Sequence, residues 1–177
     1  MQERHQELEF AALRATIRER GTVRILLAWA TFVVWAGLFL ASLTWTALPA
    51  ASLVSLLVLA AAFEAIVALH TGVERVGRYL QVRYEKDSTE GAAPEGWESA
   101  AMRYGGRFGG GSDPLFSALF AVAAALNYFP VLAEGVAAEL AGIGVFHAAF
   151  VGRVLLARRR AGRQRAEDLE RFRTILR

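Results

Sequence analysis

Four long apolar runs, at roughly residues 25–47, 50–72, 115–133 and 137–157, decide most of what this 177-residue chain can fold into. Crossing a hydrocarbon core takes about 20 apolar residues in a helix, and each run meets or approaches that length. Backbone N–H and C=O groups in lipid have to be satisfied within their own segment, so the runs are expected to be helices. Strands of a membrane barrel would alternate apolar and polar residues with period two, whereas these runs are continuously apolar. Together they take up about half the chain, which leaves no room for a separate soluble domain.

The charges orient the runs. The 20 Lys and Arg residues lie before the first run, between the second and third, or at and beyond the end of the fourth, from Arg153 onward. The short connections, Leu48-Pro49 and Val131 to Glu139, carry none. Basic residues favour the cytoplasmic side, so the pattern predicts four spans with both termini in the cytoplasm of a bacterial inner membrane. The pI near 9.8 follows from the same placement. Basic residues beside span ends are attracted to anionic phospholipid headgroups, by about 1 kcal/mol each, and Arg158, Arg159 and Arg160 are the foremost candidates. Nucleic acid is not an expected partner. Arginine outnumbers lysine 19 to 1; with abundant Ala and Gly, this points to a GC-rich bacterial genome rather than to a site.

The first run is not expected to be a cleavable signal, because mostly polar residues including Glu3, Glu7, Glu9 and Glu19 precede it. Residues 1–24 form a cytoplasmic amphipathic helix in this reading. Leu8, Ala11, Ala12 and Ala15 make its apolar face, and Gly21-Thr22 interrupts it before the first span. Trp29 and Trp45 suit the aromatic belts at the two interfaces. Residues 25–85 form the first transmembrane hairpin: Pro49 and Ser52 turn the chain, and the second helix runs on past Gly72 through Arg75 to Tyr84. Residues 86–113 are a Gly-rich cytoplasmic loop. Asp113-Pro114 supplies a cap and a proline in the first turn of the next helix, and residues 114–157 form the second hairpin. Residues 158–177 make a basic C-terminal helix with Leu169, Phe172, Ile175 and Leu176 as its apolar stripe. The triplets Val76-Gly77-Arg78 and Val151-Gly152-Arg153 recur 75 residues apart, a spacing that chance explains better than duplication.

Chemistry can live only at the ionisable residues within or beside the spans, which are costly in lipid and face an interior or a cavity. These are Glu64, His70, Glu74 and His147. Residue counting from the charged helix ends places Glu64 level with His147; alignment on the two Gly-Arg pairs instead brings His147 nearer His70. Three readings follow. Each residue satisfies a hydrogen bond inside the bundle, with Glu64 a neutral acid; or Glu64 and His147 line a proton or ion pathway, since histidine changes protonation near neutral pH; or His70, His147 and one glutamate bind a metal or haem. The Glu-x-x-His pairs of a dimetal bundle are absent from the sequence, as are a phosphate-binding loop, a His-Glu-x-x-His helix and a nucleophile elbow. With no cysteine, disulfides and thiolate metal sites are excluded. Gly144, Ala148 and Gly152 repeat every fourth residue and would let another helix approach closely.

The expected architecture is an all-α, four-transmembrane-helix bundle with cytoplasmic helical extensions. The expected role is that of a non-enzymatic membrane subunit without a cofactor, forming a homo-oligomer or joining a membrane partner protein. An ion or proton conductor is the main alternative, and a haem- or metal-binding protein the next.

Overall fold

The computed structural model of the chain describes residues 2–45, 48–84, 100 and 114–176. The Gly-rich segment 86–113, the Asp113 cap and the Trp45 side chain lie outside the described residues, Ala100 apart. Among the described residues, four long helices carry the fold: α1 (Gln2–Trp45), α2 (Ser52–Tyr84), α3 (Pro114–Glu134) and α4 (Ala137–Ile175), with a 3-10 turn at Pro49–Ala51. Among the described residues there is no strand. The shortest helix, α3, has 21 residues, about 31 Å at 1.5 Å per residue. All four are long and apolar enough to cross a membrane.

Local chemistry accounts for where the helices run and stop. No break occurs at Gly21-Thr22, contrary to the expected interruption: α1 is continuous over 44 residues. One glycine costs a helix only about 1 kcal/mol, and the Thr22 hydroxyl donates to the Arg18 carbonyl one turn back (3.1 Å). Ahead of α2, Ala51 N–H donates to the Leu48 carbonyl (2.9 Å), and the Ser52 hydroxyl donates to the Pro49 carbonyl (2.8 Å). Between α3 and α4, Gly135 N–H donates to the Val131 carbonyl (2.8 Å). A Cβ on Gly135 would stand 2.6 Å from that same oxygen, so only glycine fits. Glu139 then reaches back to accept from Val136 N–H (3.1 Å), the carboxylate half of a capping box that opens α4.

The residues fall into two compact units. One takes in residues 25–67 and 113–159. Its core is aromatic: Phe120 of α3 lies 5.3 Å from Phe63 of α2, 6.4 Å from Phe150 of α4 and 5.1 Å from Phe32 of α1, measured between ring centroids. Leu56, Leu59, Ile66, Ala123, Ala124 and Val154 complete it. The buried positions of α4 (Ile143, His147, Phe150, Val154) recur every three or four residues, as one face of a helix requires. From Ile25 to Thr44, α1 buries Thr31 alone. Large apolar side chains point outward from every helix, among them Val33, Leu57, Leu126, Phe129, Val145 and Phe146. An outer surface of this kind suits lipid better than water.

The other unit takes in residues 1–24, 68–112 and 160–177, so the polar ends of α1, α2 and α4 form a compact body of their own. The expected faces need correcting here. Leu8, Ala11, Ala12 and Ala15 are exposed, whereas Leu13 and Ile17 are half-buried. Phe10 meets the ring of Tyr84 edge-on (5.3 Å). Larger side chains remove more apolar area from water than alanines do, and that decides which face packs. On α4, Ile175 is exposed and Asp168 is buried, with Phe172 against Tyr79 (5.6 Å).

Candidate functional site: two buried polar networks

Within the apolar unit, three side chains and the Ser52 carbonyl close a hydrogen-bonded set. Asn127 of α3 is buried. Its amide oxygen accepts from the Ser55 hydroxyl (2.7 Å), and its amide nitrogen donates to the Ser52 carbonyl (2.7 Å). The same nitrogen lies 3.1 Å from His147 Nε2, and His147 Nδ1 lies 3.0 Å from the Ile143 carbonyl. A carbonyl only accepts, so Nδ1 carries the proton and Nε2 accepts from Asn127. Both ring nitrogens of His147 are therefore committed. Tyr128 covers the imidazole (5.1 Å between centroids) and donates its hydroxyl to the Leu140 carbonyl (2.7 Å).

Gly144 makes room for that hydroxyl, since a Cβ there would lie 3.0 Å from it. The expected small-residue stripe thus divides. Gly144 is used within the chain, while Ala148 is exposed and Gly152 faces open space.

Glu64 does not meet His147. Its carboxylate accepts from Arg153 of α4 (2.7 Å), and the two side chains are 51% and 38% exposed. The Arg153 guanidinium also lies 5.9 Å from the centre of the Phe63 ring. Six residues separate Arg153 from His147, about 9 Å along the helix, so the register that sets Glu64 level with His147 fails. Counting from charged ends assumes that helices enter at equal heights. Here core packing sets the heights, and a long arginine side chain takes the acid.

In the other unit a chain of charges links α1, α2 and α4. Arg24 Nη1 lies 2.6 Å from His70 Nδ1, and because arginine only donates, His70 accepts there. His70 Nε2 lies 3.5 Å from Glu74 Oε1. Glu74 pairs one turn on with Arg78, and Arg78 donates to Asp168 of α4 (2.7 Å). Arg75 approaches the same Asp168 oxygen at 3.7 Å. Arg78 is 1% exposed and Asp168 5%. Beside them, Glu9 accepts from the Tyr79 hydroxyl (2.7 Å). That bond holds the Glu9 carboxyl below the usual carboxylate range and raises Tyr79. Arg158, Arg159 and Arg160 are exposed.

Each proposed metal or haem ligand already has partners within its own unit. His70 and His147 belong to different units, Arg24 occupies His70 Nδ1, and both His147 nitrogens are taken. Among the described residues no group of three His, Cys, Asp or Glu side chains is placed to hold a metal ion. Sequence reasoning also passed over Asn127, Ser55, Arg78 and Asp168. For Asn127 a signal existed, as a lone amide inside an apolar run. For Arg78 and Asp168 there was none, because each sits in a stretch dense with charge.

Nothing matches this chain among protein-family models, curated proteins or solved structures.

Proposed function

We propose that this protein is a four-span subunit of a bacterial cytoplasmic membrane, with both termini inside, whose work is assembly rather than catalysis or conduction. One observation carries the reading: the polar groups buried where α2, α3 and α4 meet around Asn127 are spent on one another. His147, Asn127, Ser55 and the Ser52 carbonyl satisfy each other locally, and such interhelical hydrogen bonds hold helices together in lipid. A conductor would want Glu64 and His147 along one interior route. Instead Glu64 is paired with Arg153 in an exposed position. The helical unit at the polar ends of α1, α2 and α4, stiffened by its chain of charges around buried Arg78 and Asp168, suits a docking platform beside the inner leaflet. Arg158, Arg159 and Arg160 would lie there against anionic headgroups.

The test is reconstitution of the purified chain in liposomes, with a pH-sensitive dye inside and light scattering to weigh the particle. The expected result is no proton flux above that of protein-free vesicles and a particle heavier than one chain. Flux that depends on the protein and is abolished by Glu64→Gln or His147→Ala would replace this reading with a conductor. A Soret band or stoichiometric metal in the same preparation would replace it with a cofactor protein.

A further inference from the structure

Glu64 and Arg153 form an exposed ion pair on an otherwise apolar surface. On α2, Leu57, Ala61 and Glu64 follow one another at helical spacing, and Leu57 and Ala61 are exposed. On α4, Phe146, Ala149, Arg153 and Leu156 do the same, with Phe146, Ala149 and Leu156 exposed. The 2.7 Å contact between Glu64 and Arg153 joins these two stripes into one face. Lipid is a poor cover for it. Glu64 lies six residues before His70, the next titratable group toward the basic end of α2. That distance is about 9 Å along the helix, too far for a glutamate side chain to reach headgroups. Charged side chains within spans face protein or a water-filled cavity rather than hydrocarbon.

We infer that this face is the contact between two copies of the chain, related by a two-fold axis along the membrane normal. The inference rests on the self-assembly reading and names its surface. A two-fold contact presents the same patch to itself, so the patch has to be self-complementary. This one is: the axis sets α2 of one copy opposite α4 of the other at the same height. Glu64 then faces Arg153 of the second copy and Arg153 faces its Glu64, a square of alternating charge with no net excess. Ala61 and Ala149, about one turn above the charges on their respective helices, let the helices approach closely. Leu57, Phe146 and Leu156 flank the square.

The test uses charge reversal in two differently tagged full-length chains, with dimerisation followed by single-molecule counting in lipid nanodiscs and vesicles. Glu64→Arg alone and Arg153→Glu alone each oppose like charges across the axis. Each should weaken self-association by about 100-fold or more. Co-expressed, the two variants present complementary charges to each other while their internal pairs stay repulsive. Heterodimers should therefore return, which a purely intramolecular role for the pair cannot produce. A separate measurement spares the charges. The chain has no cysteine, so Ala61→Cys in one copy and Ala149→Cys in the other should be joined by a short bismaleimide, and Val33→Cys with Ala148→Cys should not. Dimers that persist in both single reversals, or a crosslink confined to the Val33–Ala148 pair, would overturn this surface and leave self-assembly standing. A wild-type chain that stays monomeric in the bilayer would overturn both.

Discussion

Asp168→Ala probes the buried charge chain. The carboxylate sits 2.7 Å from Arg78 Nη1, with the two side chains 6% and 2% exposed. Removing one partner of a buried pair costs about 3–5 kcal/mol, because the other charge stays buried without its counterion. Arg78 keeps Glu74 as a second partner, which argues for a smaller loss of about 2–3 kcal/mol, still within the reach of a broken buried ion pair. Where amides exchange by local opening, that loss speeds hydrogen exchange across residues 161–172 of α4 by about 30- to 150-fold. The matched control is Glu167→Ala, whose carboxylate is 58% exposed and 3.7 Å from Arg171; exposed pairs of this kind contribute less than about 1 kcal/mol. A second arm decides the mechanism. Arg78→Met combined with Asp168→Leu removes both charges and refills the space, which is commonly neutral or stabilising, so protection should recover. Unchanged exchange in Asp168→Ala, or a double variant as unprotected as the single, would refute the claim that an uncompensated buried charge causes the loss.

Three further outcomes follow from the geometry. Asn127→Ala strips Ser55, His147 and the Ser52 carbonyl of a partner and should destabilise the protein by about 1–3 kcal/mol in denaturant unfolding from detergent; an unchanged midpoint would show the network to be energetically idle. Gly135→Ala drives a Cβ against the Val131 carbonyl and should cost about 1–3 kcal/mol by the same assay, whereas Gly152→Ala, inside α4 with open space around it, should cost nothing and stabilise by up to about 1 kcal/mol. The Glu9 carboxyl is depressed by the Tyr79 hydrogen bond, so that contact contributes fully above the unfolded-state carboxylate pKa and is lost as pH falls through the lower folded one. An NMR titration of the Glu9 carboxyl should therefore show a midpoint below the ordinary value that Tyr79→Phe moves part of the way back, with Tyr84 and Arg83 still in place; the same midpoint in both proteins would contradict the assignment.

The helical type of the elements and the membrane-crossing length of four of them were legible in the residues. Apolar runs of membrane-crossing length have few ways to satisfy their backbone groups, and the tight connections at Pro49 and Gly135 are built from neighbours in sequence. Even the continuation of α2 to Tyr84 and of α4 to Ile175 could be followed in the alternation of apolar and charged residues. Glu64 and His147, titratable residues inside apolar runs, were visible as anomalies, but their actual partners were not. A helix that is apolar all round has no preferred inner face until neighbours pack on it. Only the stacking of Phe63, Phe120 and Phe150 sets the rotation and height that bring His147 to Asn127 and Glu64 to Arg153. The same holds for Arg78 and Asp168, 90 residues apart: local chemistry made each of them a charge near a helix end, and only tertiary packing made them a buried pair.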